Sequence, residues 1–337
     1  MMDKERLLKW LANQQYKIEG DFHNGGFSPY PETIKAGGVI STALALQALM
    51  KYNEGGRYND VIKRGIDFLL RSQIDATKYM PRFISWCYHQ EDGGFPPIGD
   101  LELITEISSP EATAEAIKTL RKYVLLSEQP VIESIRARIR RAENHLLFDG
   151  YWCSPCKSPR DVHQHLSCLE VLKDIYGEFT HFKCIDLRTF YDTEMDQIIY
   201  LFEKQGYLPF KFSEKDKISI TNSVLGLKLL STWECARRDI RRYRENLKDI
   251  IAKEIKKNKY KLFTEHNPIE LYPIYSKHYG DVYSECYSLL PSLVYLFGEE
   301  SELVAKVAGE VVDDSVNVWR GRKEPSVKET ARLLLSL

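Results

Sequence analysis

Two histidines, His163 and His165, stand just ahead of an apolar run and are the side chains best suited to move a proton near neutral pH. The same two residues also read as satisfied polar groups at the start of a helix. Glu285 is the carboxyl group with the most suggestive surroundings, because Tyr275, Tyr279, Tyr283 and Tyr287 flank it in sequence. Burial holds such an acid protonated, and aromatic ring faces stabilise a cation formed beside it. Cys286 adds a thiol next to that acid. Glu111, Glu115, Asp161 and Glu329 fall near other helix starts, where they are either ordinary first-turn acids or, if several converge, carboxyl groups that share a proton. Cys153-Ser154-Pro155-Cys156, followed by His163, His165 and Cys168, offers the sulfur and imidazole donors that zinc takes. A second C-x-x-C string is absent, so two reduced loop thiols explain the first equally well.

The bulk composition excludes several classes. A hydrophobic share of 43%, a charged share of 28% and a net charge of -1 over 337 residues suit a soluble globular chain and give no reason to expect nucleic acid as partner. The basic strings Arg136 to Arg141 and Arg237 to Arg242 read as solvated helix faces. No apolar run approaches the roughly 20 residues of a membrane span. The N-terminus is charged and is no signal peptide, and the seven cysteines read as reduced thiols, so the cytoplasm is the expected location.

The elements that must position these residues repeat along the chain. The string Ser41 to Leu49 opens on small residues, is apolar almost all round, and follows the loop Asn24-Gly25-Gly26-Phe27. Its pattern returns from Thr113, His165, Ser223, Cys286 and Thr330, with Thr42 at the equivalent first position and a leucine seven residues after each. The spacing is irregular, between about 44 and 71 residues, as expected of a helix pair with variable loops. Amphipathic helices lie between these strings, near 3–16, 59–72, 131–147, 192–204, 243–257 and 302–318. Six pairs of this kind predict an all-α fold, one (α/α)6 toroid domain over 1–337, with apolar helices inside and amphipathic helices outside. Small or polar residues of the inner helices would turn to the central axis. Pro291 is expected to kink the fifth inner helix or to remove one of its backbone bonds.

Gln90-Glu91-Asp92-Gly93-Gly94-Phe95 resembles the glutamine-to-aromatic repeat of the terpenoid cyclase and protein prenyltransferase superfamily, with Asn24 to Phe27 a partial copy. Asp149-Gly150-Tyr151-Trp152 and Gln205-Gly206-Tyr207 are degenerate copies. The resemblance implies a toroid that handles an isoprenoid or other apolar small molecule in a central cavity. In such a cavity Glu285, His163, His165 and Cys286 are the catalytic candidates, with Tyr283, Tyr287 and Trp152 against the substrate. The resemblance further implies that Arg320, Arg322 and Lys323, in a basic loop before the sixth inner helix, bind a diphosphate, and that a helical protein partner is present. Departures from the family pattern are plain. Val311-Val312-Asp313-Asp314 lacks the first aspartate of the cyclase acid motif. Ser284-Glu285-Cys286-Tyr287-Ser288 carries serine where the prenyltransferase zinc string has aspartate.

The leading expectation is therefore terpenoid-cyclase-like or prenyltransferase-like chemistry. No cofactor is called for outright; zinc, with Cys153, Cys156 and Cys286 as weak ligand candidates, or magnesium are the ions such chemistry would use. Two other readings stay open. One is a toroid without catalysis that binds a lipid, peptide or protein. The other is a carbohydrate-active (α/α)6 enzyme, which needs two carboxylates facing each other across the cavity.

Overall fold

The structure is a computed structural model that describes residues 4–29, 31, 36–75, 92–96, 108–127, 132–147, 162–176, 181–182, 185–210, 218–233, 239–257, 264–266, 286–311 and 326–337. Twelve α-helices lie among the described residues. They are α1 (Lys4–Asn13), α2 (Val39–Lys51), α3 (Asn59–Ser72), α4 (Pro110–Leu126), α5 (Ile132–His145) and α6 (Val162–Tyr176), then α7 (Leu187–Gln205), α8 (Ile220–Thr232), α9 (Ile240–Lys257), α10 (Leu290–Phe297), α11 (Glu302–Val311) and α12 (Val327–Ser336). None of the described helices is long and apolar enough to cross a membrane.

The chain divides into two compact units, one of Met1–Lys157 with Glu324–Leu335, the other of Ser158–Lys323 with the last two residues. In the first, α2 packs on α4, while α3 backs α2 and α5 backs α4. In the second, α8 packs between α6 and α10, and α7, α9 and α11 back α6, α8 and α10. The even-numbered helices are the inner type. In α2, Val39, Ala43, Leu46, Ala48 and Leu49 are all fully buried, so no single stripe faces the core. The odd-numbered helices are amphipathic: α3 buries Ile62, Ile66, Phe68 and Leu69 and leaves its charges outside.

Helix starts follow from local chemistry. Ser109 caps α4, its hydroxyl accepting from Ala112 N, with Pro110 in the first turn, where a missing N–H costs nothing. Asp186 accepts from Arg188 N and Thr189 N at the head of α7. Gly206 ends α7 in the left-handed region (φ 79°), which a residue with a Cβ adopts only under strain. The fifth inner helix differs from expectation. Cys286–Ser288 is a strand, paired antiparallel with Thr264–His266, and the helix begins at Leu290. Pro291 therefore sits in the first turn, where its ring breaks no intrahelical bond and produces no kink.

Two further two-residue ribbons pair His181–Phe182 with Ile185–Asp186 and Leu208–Pro209 with Ile218–Ser219. The second runs directly into α8. Single bridges from Phe27 to Gln15 and to Gly38 do the same service ahead of α2.

Candidate active site

Each of three inner helices is fastened to the loop before it by one hydroxyl. Phe27 N donates to Thr42 Oγ1 at 2.9 Å, Phe95 N to Thr113 Oγ1 at 3.0 Å, and Leu208 N to Ser223 Oγ at 2.8 Å. Thr42 and Ser223 pass their own proton one turn back, to Gly38 O and Ser219 O, as Thr330 does to Ser326 O. The aligned first position of the repeat is thus a clamp for the backbone. A glutamine completes it twice. Gln15 Nε2 donates to Gly25 O and Val61 O, and Gln73 Nε2 to Gly93 O and Arg138 O. Gly25 and Gly93 have φ near +88° and +85°, and a Cβ on either would collide with the carbonyl of Arg64 or Arg141. Arg141 holds both Asp92 and Asp75, and these carboxylates raise its pKa further above the ordinary arginine value.

His165 occupies the clamp position of α6 and lacks a hydroxyl. Its Nε2 lies 3.0 Å from Glu194 Oε2 on the outer helix α7, with both side chains buried. Thr42, Thr113 and Ser223, expected to turn to the axis, make their hydrogen bonds to loops, and His165 meets an outer helix.

Positions two before and two, five and nine after the clamp fall on one face of each inner helix; they are partly exposed on α8 and α12, while Glu111 and Glu115 on α4 and His163 on α6 are buried at those positions. On α8, the residues left partly exposed between Ile220 and Leu230 are Thr221, Leu225 and Lys228. This is one face of a helix, at spacings of four and three. On α4 the line reads Glu111, Glu115, Lys118 and Lys122, and on α12 Lys328 and Arg332. Within the first unit these side chains meet. Arg332 Nη2 donates to Glu111 Oε1 at 3.1 Å, Lys328 Nζ lies 3.7 Å from the same oxygen, and Arg332 Nη1 donates to Glu329 Oε1 at 3.2 Å. Gln47 Nε2 bridges Glu115 Oε2 (2.8 Å) and Thr119 Oγ1 (2.9 Å). Lys122 Nζ donates to Gln47 O, and burial, aided by the charge of Lys51, depresses its pKa. Burying charges among apolar helices is not repaid in stability by their pairing alone, so a mixed-charge line marks a surface kept for polar contacts.

On α6 the same line begins with His163. The first turn of this helix is tied down by Val162 N, which donates to Phe210 O at 3.1 Å. His163 Nδ1 lies 3.1 Å from Asn222 Oδ1 at the start of α8, and both residues are buried. Asn222 is held from two sides: its Nδ2 donates to Pro209 O at 3.0 Å and its backbone N to Ser219 Oγ at 3.2 Å. With the amide nitrogen committed to a carbonyl, Oδ1 is left to accept. Nδ1 of a neutral His163 then carries the proton, and the lone pair sits on Nε2. A buried imidazole with its tautomer set by a fixed amide is arranged to accept and return a proton at one defined atom.

Of the residues singled out in the sequence, His163 and His165 are placed on separate faces of α6, with separate partners. Glu111, Glu115 and Glu329 come together with cations in the first unit. Glu285, Tyr283, Trp152, Arg320, Arg322, Lys323, Cys153, Cys156, Asp161, Asp313 and Asp314 lie outside the described residues, and of Cys286 and Tyr287 only the backbone strand is described. Among the described residues no three His, Cys, Asp or Glu side chains are grouped to hold a metal. Asn222 and the cations of the charged line, Lys118, Lys122 and Arg332, were missed. A polar residue recurring every three to four positions along an otherwise apolar helix is the signal that reveals them.

A scan against protein-family models and a search of the curated proteins find no match. Two solved structures match nearly the whole chain. A cellobiose 2-epimerase from Spirochaeta thermophila superposes with a TM-score of 0.58 at 14% identity, over 99% of this chain and 95% of that one. A sugar epimerase from a ruminal bacterium does so with a TM-score of 0.57 at 13% identity, over 98% and 95%. The fold is accordingly the all-α (α/α)6 toroid of alternating inner and outer helices. The structures found are sugar epimerases, which corrects the resemblance to terpenoid cyclases and prenyltransferases. The isoprenoid or other apolar partner falls with that resemblance. The Gly-Gly-Phe loops that suggested it are fastenings of the fold, as their hydrogen bonds to Thr42 and Thr113 make plain, and the line beside them is charged.

Proposed function

We propose that this chain is a carbohydrate-active enzyme that inverts a carbon next to the carbonyl of a reducing sugar, with His163 Nε2 as the base that takes the proton from one face of that carbon. In the open-chain form of such a sugar, the hydrogen on the carbon beside the carbonyl is acidic. A base on one face removes it to leave an enediolate, and the epimer forms when a second acid or water delivers a proton to the same carbon from the opposite face. The observation that carries the reading is the buried His163–Asn222 pair, 3.1 Å apart, which fixes where the basic lone pair lies. The likeness to two sugar epimerases supports it, and so does the charged line on the inner helices, which suits a polyhydroxy substrate and not a prenyl chain. His165 with Glu194 serves as a fixed partner on the other face of α6 and orients that turn.

The test is incubation of the purified protein with a panel of reducing hexoses and disaccharides, cellobiose among them, and separation of the products. Appearance of the epimer at the carbon beside the carbonyl is the expected result. A folded protein that converts none of them overturns the proposal.

A further inference from the structure

The second unit carries a concave site that this chemistry does not use. It lies between the first two turns of α9 and the end of α10, lined by Arg241, Arg244, Glu245, Lys248, Tyr295 and Gly298 with apolar neighbours. We propose that this groove binds a tetrahedral oxyanion, phosphate or a phosphoryl or sulfate group of a larger molecule.

Four observations converge on it. The three basic residues fall at spacings of three and four on α9, so one helix face presents them all to the groove. The lining carries three positive charges against one negative, and that one, Glu245, is already paired with Lys248 at 3.0 Å. Arg241 has no acidic partner among the described residues and stands open to solvent. Arg244 is held in place: its Nη2 donates to Tyr295 O at 2.8 Å, and its guanidinium lies 5.3 Å from the centre of the Tyr295 ring. That leaves Arg244 Nε buried without a hydrogen-bond partner, a donor for which an anion oxygen would be an acceptor. Lys228 covers the same ring at 4.8 Å and adds a further positive charge beside it. A guanidinium already positioned by a carbonyl and a ring loses little freedom when it binds, and arginine forks suit the paired oxygens of a tetrahedral anion. Part of the positive charge has another use, since Arg244 also neutralises the carbonyl end of α10. That role leaves Arg241 unaccounted for.

None of the residues proposed for proton transfer lines this groove, so the inference does not depend on the sugar reading. It is tested by titrating the full chain with inorganic phosphate and with sulfate, against chloride at matched ionic strength, following phosphorus line broadening and thermal midpoint. The expected result is saturable binding of both oxyanions, with at least a tenfold loss of affinity in the double variant Arg241→Met, Lys248→Met. Both positions are open enough for the fold to survive, and unchanged circular dichroism verifies that. Arg244→Gln, which keeps a shorter polar chain, is expected to weaken binding as well. Phosphate binding no stronger than chloride binding, or equal affinity in the double variant, overturns the proposal.

Discussion

Replacing Thr42 by valine keeps the shape of the side chain and removes one oxygen, so the clamp can be weighed almost alone. Thr42 is fully buried, and its Oγ1 accepts from Phe27 N at 2.9 Å and donates to Gly38 O at 2.6 Å. Gly38 O also accepts from Thr42 N at 3.0 Å and Ser41 Oγ at 3.1 Å, so it remains satisfied in the variant. Phe27 N is left buried without an acceptor, which costs about 1–3 kcal/mol. The net loss expected is about 2 kcal/mol, or a fall of roughly 4–8 °C in the thermal midpoint for a unit of this size. Thr42→Ser retains the oxygen and is expected to lose well under half as much. Urea unfolding gives both values, and amide exchange at Phe27 reports the local event, accelerating in Thr42→Val only. A valine variant as stable as the parent, with unchanged protection at Phe27, would refute the claim that the repeated register is a backbone clamp.

Other consequences follow from the same geometry. Gly25→Ala must place a Cβ against the Arg64 carbonyl at φ near +88°, so destabilisation of at least about 2 kcal/mol is expected, whereas Gly20→Ala, with the same sign of φ and open space around it, should cost only about 1 kcal/mol; paired unfolding curves compare the two. Asn222→Leu frees the His163 tautomer and is expected to lower kcat about tenfold with KM little changed, as steady-state kinetics on the converted sugar would reveal. Burial raises the pKa of Tyr58 above the usual tyrosine value of 10.0, Glu5 adding to it and Arg57 opposing it. A raised folded-state pKa gives stability that is present below pH 10.0 and lost as pH climbs through the folded value, so midpoints should fall above about pH 10 and fall less in Tyr58→Phe.

Much of the architecture is legible in the residues themselves, because it rests on local signals. The apolar circumference of α2, the stripe of α3 and the Ser109-Pro110 start of α4 each follow from period and capping. Less legible was the fifth inner helix, where Cys286–Ser288 pairs with a distant strand and pushes the helix start to Leu290; no local pattern announces a partner at Thr264–His266. The glutamine of the clamp was sought at Gln90, next to the glycines, and it is Gln73, a turn of chain earlier, that makes the tie. The surroundings of His163 are less legible for a related reason. Aligning first positions finds what fastens loops, since those residues must recur, while a site needs residues that differ from helix to helix. His163 and Glu111 stand at one equivalent place, two before the clamp, with unlike chemistry, and Asn222 becomes significant only when α8 is packed beside α6. The Gly-Gly-Phe loops pointed to the wrong chemistry because they specify a fold that serves more than one.

The central claim is that His163 takes a proton from the sugar carbon beside the carbonyl. Its most direct test is exchange of hydrogen from deuterated water into the carbon beside the carbonyl of a reducing sugar, measured by nuclear magnetic resonance for the parent and for His163→Leu. The account predicts deuterium at that carbon in both substrate and epimer with the parent, and a loss of roughly 100-fold or more in the variant. Exchange that proceeds unchanged in folded His163→Leu, or no exchange with any reducing sugar in the parent, would contradict it.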